Sequence, residues 1–125
     1  MKSEIKELWL DALNSDNYRQ GRGQLLKDGE FCCLGVLCDV YIKQTNLAEW
    51  LPPIPVTGKH MIVDIDALAG DYITAGLPWS VRQWAGCLSY DPHILYKGDS
   101  YPLSHLNDVF GLNFKQIAQL IEEQF

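Results

Sequence analysis

A run of mostly apolar residues, FCCLGVLCDVYI at positions 31–42, limits the fold more than any other part of the chain. The run is too long for a typical single strand, so we predict a helix that begins near Cys33. The β-branched residues Val36 and Val40 would also suit a strand, but the length of the apolar run favours a helix. Gly35 would let the helix pack closely against a neighbouring element. One helical face carries Leu34, Leu37, Cys38 and Tyr41.

Two more helices are indicated by apolar residues at spacings of three and four. The first covers residues 4–14, with Ser3 as its expected N-cap. The second follows Asn113, and Gln116 three residues later completes a capping-box pattern. The buried stripe of the last helix is expected to contain Phe114, Ile117, Ala118, Ile121 and Phe125.

The remaining segments are short and are separated by glycine, proline and polar residues. Asp28-Gly29 predicts a tight turn, so residues 23–33 are expected to form a hairpin that leads into the central helix. Three prolines hold residues 51–56 extended. Other predicted elements are a strand at 61–65 within an ambiguous stretch 57–76, short helices at 77–86 and 102–109, and a hairpin at 93–101. The sequence therefore predicts one α+β domain over residues 1–125, with amphipathic helices packed on a small, mostly antiparallel sheet.

Composition narrows the functional classes. The net charge is −6, with 10 basic and 16 acidic residues, and this argues against a nucleic-acid partner, which requires a basic face. No apolar run reaches the roughly 20 residues of a membrane helix, and the charged start MKSEIKELW is unlike an export signal. We therefore expect a cytoplasmic protein whose four cysteines are free thiols.

Several motifs occur together in an order that is specific. They are WLDAL, YRQGRGQL, FCCLGVLCD, VRQWAG and the carboxy-terminal block LNDVFGLNFKQIAQLIE. In this combination the chain resembles a family of small phage and prophage proteins, and the matching blocks cover about half of it, whereas residues 43–76 match no part of the family pattern. The resemblance implies a phage accessory protein, present in the cytoplasm of the host cell. Small phage proteins of this size often counter bacterial defence, and some do so by trapping nucleotide immune signals, such as cyclic ADP-ribose isomers or cyclic nucleotides; by analogy, the same role is expected here.

A ligand of that class is a small anion, and the sequence offers candidate contacts for it. In the loop Tyr18-Arg19-Gln20-Gly21-Arg22-Gly23, glycines would let backbone amides approach a phosphate and arginines would supply forked donors. An ordinary surface loop is the competing interpretation, since Gly-Lys-Ser/Thr is absent. The aromatic side chains that could stack a base, besides Tyr18, are Trp50, Trp79 and Tyr90, and Arg82 could face the ligand. We expect no cofactor, and an oligomer could build such pockets at subunit boundaries.

A thiol-dependent hydrolase or transferase is the second reading. Cys32 or Cys33 would be the nucleophile, His105 the base and Asn107 or Asp108 the orienting group, with Gln20 near the oxyanion. His93 is a second candidate base. The competing interpretation is that both cysteines pack as small apolar side chains in the core.

Two further possibilities have weaker support. The prolines at 51–56 could belong to a module that inhibits a host defence enzyme by binding it directly. The cysteines and histidines lack the spacing of a metal site, so no metal is expected. Asp64, Asp66, Asp71, Asp91 and Asp108 show no recognisable pairing, and solvated surface charge is the common explanation for such carboxylates.

Overall fold

The apolar run at residues 31–42 forms the helix at the centre of the structure, a computed structural model that describes residues 1–65 and 75–125. In chain order the elements are α1 (Ser3–Asn14), β1 (Leu26–Lys27), β2 (Glu30–Phe31), α2 (Cys33–Thr45), β3 (Ala48–Trp50), β4 (Ile62–Asp64), α3 (Trp79–Ala85), β5 (His93–Tyr96), β6 (Asp99–Pro102), α4 (Leu103–Asp108) and α5 (Phe114–Gln124).

Helix α2 is buried on all sides along most of its length. Every residue from Cys33 to Tyr41 is buried, and helices α1, α3 and α4 all contact α2. A helix that is apolar around its whole circumference lies in a core, whereas a surface helix would show an apolar stripe. The helical prediction for this run is confirmed, and the other helices pack around it.

The strands form three separate two-stranded antiparallel ribbons within the described residues. The first joins β1 to β2 and pairs Leu26 with Phe31, and the third joins β5 to β6. Strands β3 and β4 pair across the proline segment, with Trp50 opposite Ile62. The α+β class, both predicted hairpins and the strand within 61–65 are confirmed, and the strands make ribbons where one small sheet was expected. The predicted ambiguous stretch 57–76 includes residues 66–74, which lie outside the described part of the chain.

Helix ends follow local sequence signals with one exception. The Asn113 side chain accepts from the Gln116 backbone amide at 2.8 Å and the Gln116 side chain accepts from Asn113 at 2.9 Å, so the predicted capping box is confirmed. Gly86 ends α3 in a left-handed conformation with φ 74°. The prediction that Ser3 caps α1 is wrong, because Lys2 occupies the cap position and makes no side-chain cap bond.

The first and last helices lie side by side. Helix α1 packs against both α2 and α5, with Trp9 completely buried. The Lys6 ammonium donates to the carbonyl oxygens of Glu122, at 2.9 Å, and Phe125, at 2.6 Å. A lysine at this position therefore satisfies carbonyl groups at the carboxyl end of α5, which have no partner within their own helix.

Candidate functional site

The adjacent cysteines occupy the amino-terminal end of α2. Cys32 is the cap residue, and its sulfur accepts from the backbone amide of Gly35 at 3.4 Å. A side chain on Gly35 would collide with the backbone of Leu25, since an added Cβ would lie 2.7 Å from the Leu25 carbonyl carbon. The helix start and the β1 segment thus approach more closely than any other residue type would permit, and the packing role expected for Gly35 is confirmed.

Both thiols are held in the protonated form by their surroundings. Burial is the main cause that raises the pKa of Cys32 to about 11; hydrogen bonds from the Gly35 and Leu34 backbone oppose the rise, and the charges of Asp108 and Asp91 add to it. Burial likewise raises the pKa of Cys33 well above its ordinary value. Because the thiolate is the nucleophile, a buried thiol with a raised pKa is a poor catalyst.

A single buried side chain, Asn107, connects three parts of the chain. Its amide oxygen accepts from the Cys33 backbone amide at 3.2 Å and from the Gln20 side chain at 2.8 Å. Its amide nitrogen donates to the Gly21 carbonyl and to Asp108, each at 2.8 Å. Asn107 has no exposed surface, so these bonds replace all of its contacts with water.

The structure thus brings together Gln20, Cys33 and Asn107 but places His105 differently. The His105 ring stacks on Tyr101, with ring centroids 5.3 Å apart and planes 6° from parallel, and contacts Phe110 edge-on. No hydrogen bond joins its side chain to either thiol within the described residues. His93, the other candidate base, is exposed and lies 3.2 Å from the Ser100 hydroxyl. Neither candidate histidine is therefore hydrogen-bonded to a cysteine thiol in the described part of the chain.

The arginine-glycine loop is tied down along its backbone. The Phe31 amide donates to the Arg19 carbonyl at 2.8 Å, and the Gly21 amide donates to the Phe31 carbonyl at 2.7 Å. Gln20 is also occupied, because its side chain donates to Asn107 and to the Leu112 carbonyl. The side chains of Arg19 and Arg22 remain exposed, so they are the groups of this loop that can reach an anion.

Two of the predicted stacking residues, Tyr18 and Trp50, meet at Asp39. The Tyr18 hydroxyl donates to one Asp39 oxygen at 2.6 Å, and the Trp50 indole donates to the other at 3.0 Å. Lys43 adds an ion pair at 3.0 Å, and Phe31 contacts both aromatic rings edge-on. Burial, followed by the hydrogen bond to Asp39, raises the pKa of Tyr18. Tyr18 and Trp50 therefore belong to an internal cluster around Asp39, which the sequence analysis did not predict. The signal that could have indicated it is an aspartate inside an apolar run.

The other predicted ligand contacts, Trp79, Tyr90 and Arg82, do not take part in the cluster around Asp39. Trp79 and Tyr90 are 59% and 65% exposed, so both rings are available for stacking. The Leu77 amide donates to the Tyr90 carbonyl at 2.7 Å and holds the two segments together. Arg82 is partly buried, and its Nε has no hydrogen-bond partner within the described residues.

A cavity of about 160 Å³ opens beside Tyr90. Its wall contains Cys32, and its edge contains Gly23, the last residue of the arginine-glycine loop. The cavity lies where the loop, the start of α2 and the start of α4 converge. Its lining residues are Gly23, Gln24, Cys32, Leu34, Ala75, Gly76, Tyr90, Asp91, Ser104 and Asp108. No spacing signal in the sequence pointed to Gln24 or Ser104.

The aspartates considered in the sequence analysis lie in different parts of the structure. Asp91 and Asp108 both line the cavity, and Asp64 accepts from the Ser80 hydroxyl at 2.8 Å. Asp66 and Asp71 lie outside the described residues.

Across residues 1–65 and 75–125, no three histidine, cysteine or carboxylate side chains cluster as metal ligands. In the same residues, no helix combines the length and apolar character required to cross a membrane.

Comparison with known proteins gives one match. A family model described as a domain of unknown function, DUF8296, matches residues 1–125. No curated protein and no solved structure matches the chain.

Proposed function

The chain belongs to the DUF8296 family, and we propose that it is a phage accessory protein that binds a small nucleotide-derived immune signal and sequesters it unchanged in the host cytoplasm. The observation that carries the proposal is the position of the cavity. Its lining includes Gly23, which directly follows the exposed Arg22 in the chain, and Tyr90, whose ring is exposed. An arginine fork suits a phosphate, and an aromatic face suits a base, so one ligand could engage both.

Charge determines how such a ligand would lie. Asp91 and Asp108 give the cavity a negative lining that repels phosphate. The phosphates would therefore remain outside, at Arg22 and Arg19, and the uncharged part of the ligand would point inward. Trp79 and Arg82 would extend this surface beyond the cavity. An oligomer would enlarge it further if a second copy supplied contacts at the open side.

Sequestration is favoured over catalysis by the state of the thiols. Cys32 and Cys33 are buried and protonated, and His105 stacks on Tyr101. The decisive experiment incubates the protein with a panel of cyclic ADP-ribose isomers and cyclic nucleotides, removes unbound ligand, heats the protein and identifies the released compound by mass spectrometry. Release of the intact signal supports sequestration, and a converted product supports the thiol mechanism. Cys33→Ala should leave binding unchanged wherever the variant folds.

The arginine loop provides the matched test. Arg22→Lys keeps the charge and loses the fork, so affinity should fall modestly. Arg22→Ala should lower affinity by about 1 kcal/mol, because a charge pair on the protein surface keeps most of its solvation. Lys27→Ala, which removes another exposed cation from the neighbouring hairpin, should have little effect. Equal affinity of Arg22→Ala and wild type would exclude the loop as the phosphate site.

A second candidate is direct inhibition of a host protein through the proline segment. Val56 is the last residue of this segment, is completely exposed and has a φ of 77°, so the predicted extended conformation does not reach to residue 56. A β-branched side chain rarely adopts that conformation, and such strained positions cluster at functional surfaces. If the protein removes none of the nucleotides of the panel from solution, the proline segment is the alternative to test. A host protein that co-purifies with the wild-type protein but not with a Val56→Asp variant would support direct inhibition.

A further inference from the structure

The cavity is too small to enclose a whole nucleotide. Pockets that bury drug-sized ligands have volumes of roughly 300–1,000 Å³, and this cavity has about 160 Å³. A single flat ring system is the part of a nucleotide that fits this space. The cavity therefore selects for the base if the phosphates stay at the arginine loop.

The polar side chains of the cavity differ in how far the protein itself satisfies their hydrogen-bonding groups. Asp91 is satisfied from within the protein, because one oxygen accepts from the Ser104 amide at 3.1 Å and the other from the Ser104 hydroxyl. One oxygen of Asp108 accepts from Asn107, and no protein donor reaches its other oxygen within the described residues. Oε1 of Gln24 is buried and has no donor from those residues. Asp108 therefore offers a ligand an open acceptor, and the Gln24 amide, whose nitrogen also has no hydrogen-bond partner within the described residues, offers both an acceptor and a donor.

A buried acceptor without a partner requires a donor from elsewhere. In the free protein, water can occupy a cavity of this volume at the polar groups of its wall. A ligand that displaces the water must supply N–H groups of its own, or the buried oxygens lose hydrogen bonds. The negative lining adds a preference for an edge that carries donors only.

We propose that this cavity recognises the donor edge of a guanine base, through Asp108 and Gln24, with the Tyr90 ring stacked on the base; the inference rests on the proposed function. Guanine presents a ring N–H beside an exocyclic amine, and a carboxylate can accept from both at once. Adenine presents its amine between ring nitrogens that are acceptors, so their lone pairs would face the Asp108 carboxylate. Hypoxanthine keeps the ring N–H and lacks the exocyclic amine, which makes it the matched comparison.

The experiment measures binding of guanosine, inosine and adenosine 5′-monophosphates by titration calorimetry. We expect the guanosine nucleotide to bind at least fivefold more tightly than the inosine nucleotide, since a good bidentate contact contributes about 1–3 kcal/mol of discrimination. The adenosine nucleotide should bind more weakly still. Gln24→Met and Asp108→Asn should each reduce the preference for guanosine over inosine nucleotide. Asn at position 108 retains an acceptor for Asn107.

Gln20→Met is the control for Gln24→Met because it makes the same chemical change at a side chain that does not line the cavity. The Gln20 amide donates to two protein oxygens, whereas Oε1 of Gln24 has no protein donor within the described residues. Gln20→Met should lower the melting temperature, and its folded fraction should keep the guanosine preference. Gln24→Met should keep the melting temperature and lose the preference. If Gln24→Met fails to fold, Asp108→Asn provides the same test.

The outcomes separate this inference from the proposed function. Equal affinity for the three nucleotides, or a guanosine preference that survives both cavity variants, overturns the guanine site and leaves sequestration standing. Binding of a cyclic ADP-ribose isomer with no binding of the guanosine nucleotide also contradicts the guanine site and is consistent with sequestration. If neither the monophosphates nor the wider panel binds, both proposals fail.

Discussion

The backbone amide of Cys33 donates to the side-chain oxygen of Asn107 across 74 positions of the chain, at 3.2 Å. The same oxygen accepts from Gln20, and the same side chain donates to Gly21 and Asp108. The helix start and the arginine-glycine loop are therefore positioned by one buried amide. An asparagine suits this place because it offers an acceptor and two donors on a short side chain.

Replacement of Asn107 should strongly destabilise the protein. Asn107→Ala leaves the Cys33 amide and the Gly21 carbonyl without their partner, and each unsatisfied buried group costs about 1–3 kcal/mol. We expect the free energy of unfolding to fall by about 2–5 kcal/mol in chemical denaturation. Gln119→Ala, which removes an exposed side chain from α5, should change it by less than about 0.5 kcal/mol. A small effect of Asn107→Ala would show that water replaces the amide at this position.

Gly35 should tolerate no side chain. Gly35→Ala places a methyl group against the Leu25 backbone, which cannot move without separating the hairpin from α2. Overpacking of this kind typically costs about 1–3 kcal/mol, and contact with backbone rather than side chain puts the expected cost at or above the upper end. Gly29→Ala is the comparison, because φ is 78° there and no neighbour lies within 4 Å. Thermal unfolding should show the larger loss for Gly35→Ala; a larger loss for Gly29→Ala would contradict the packing argument.

Alkaline pH should destabilise the protein through its buried thiols, Cys32, Cys33 and Cys38, and the prediction is made for Cys32. Its thiol has a pKa of about 11 in the folded state and an ordinary value of 9.0 when unfolded. Between these values the folded state holds the proton and the unfolded state loses it, so stability falls as pH rises through this range. The contribution is fully present below pH 9 and amounts to about 3 kcal/mol for a shift of about 2 pKa units.

Denaturation midpoints measured from pH 8 to pH 11 test this linkage. The decline should be smaller for Cys32→Ala than for wild type, because the variant has lost one titrating group. Parallel curves for the two proteins would mean that Cys32 does not contribute to the pH dependence. Tyr18, whose pKa is also raised, remains in both proteins and cancels in the comparison.

Replacement of Val56 should stabilise the fold. Its left-handed backbone is costly for a β-branched residue, whereas asparagine adopts it readily. Val56→Asn should raise the free energy of unfolding by about 1 kcal/mol, the lower end of the range for such strain. Val109→Asn makes the same chemical change at an exposed valine with φ −101°, and it should bring no gain. Equal shifts in melting temperature for both variants would show that polarity, not strain, is responsible.

The sequence predicted elements better than it predicted contacts. The α2 helix followed from the length of an apolar run, and the α5 start followed from the Asn113–Gln116 pair, which are both local signals. Trp50 was expected to stack a base because it precedes a proline segment, yet its indole bonds Asp39, 11 residues away in the chain. Gln24 and Ser104 meet at a cavity formed by distant segments, and no local pattern encodes such a meeting.

The contact between α1 and α5 can form only after both helices have been synthesised, so it is a late step in folding. Lys6 reaches the Glu122 carbonyl across 116 positions, so α1 is synthesised well before the residues that become this neighbour. Contacts of such long range close only after a large loss of chain entropy, and they slow folding. On the ribosome, the surface of α1 that later meets α5 remains open to other apolar surfaces, and this interval is when misassembly would compete most with folding.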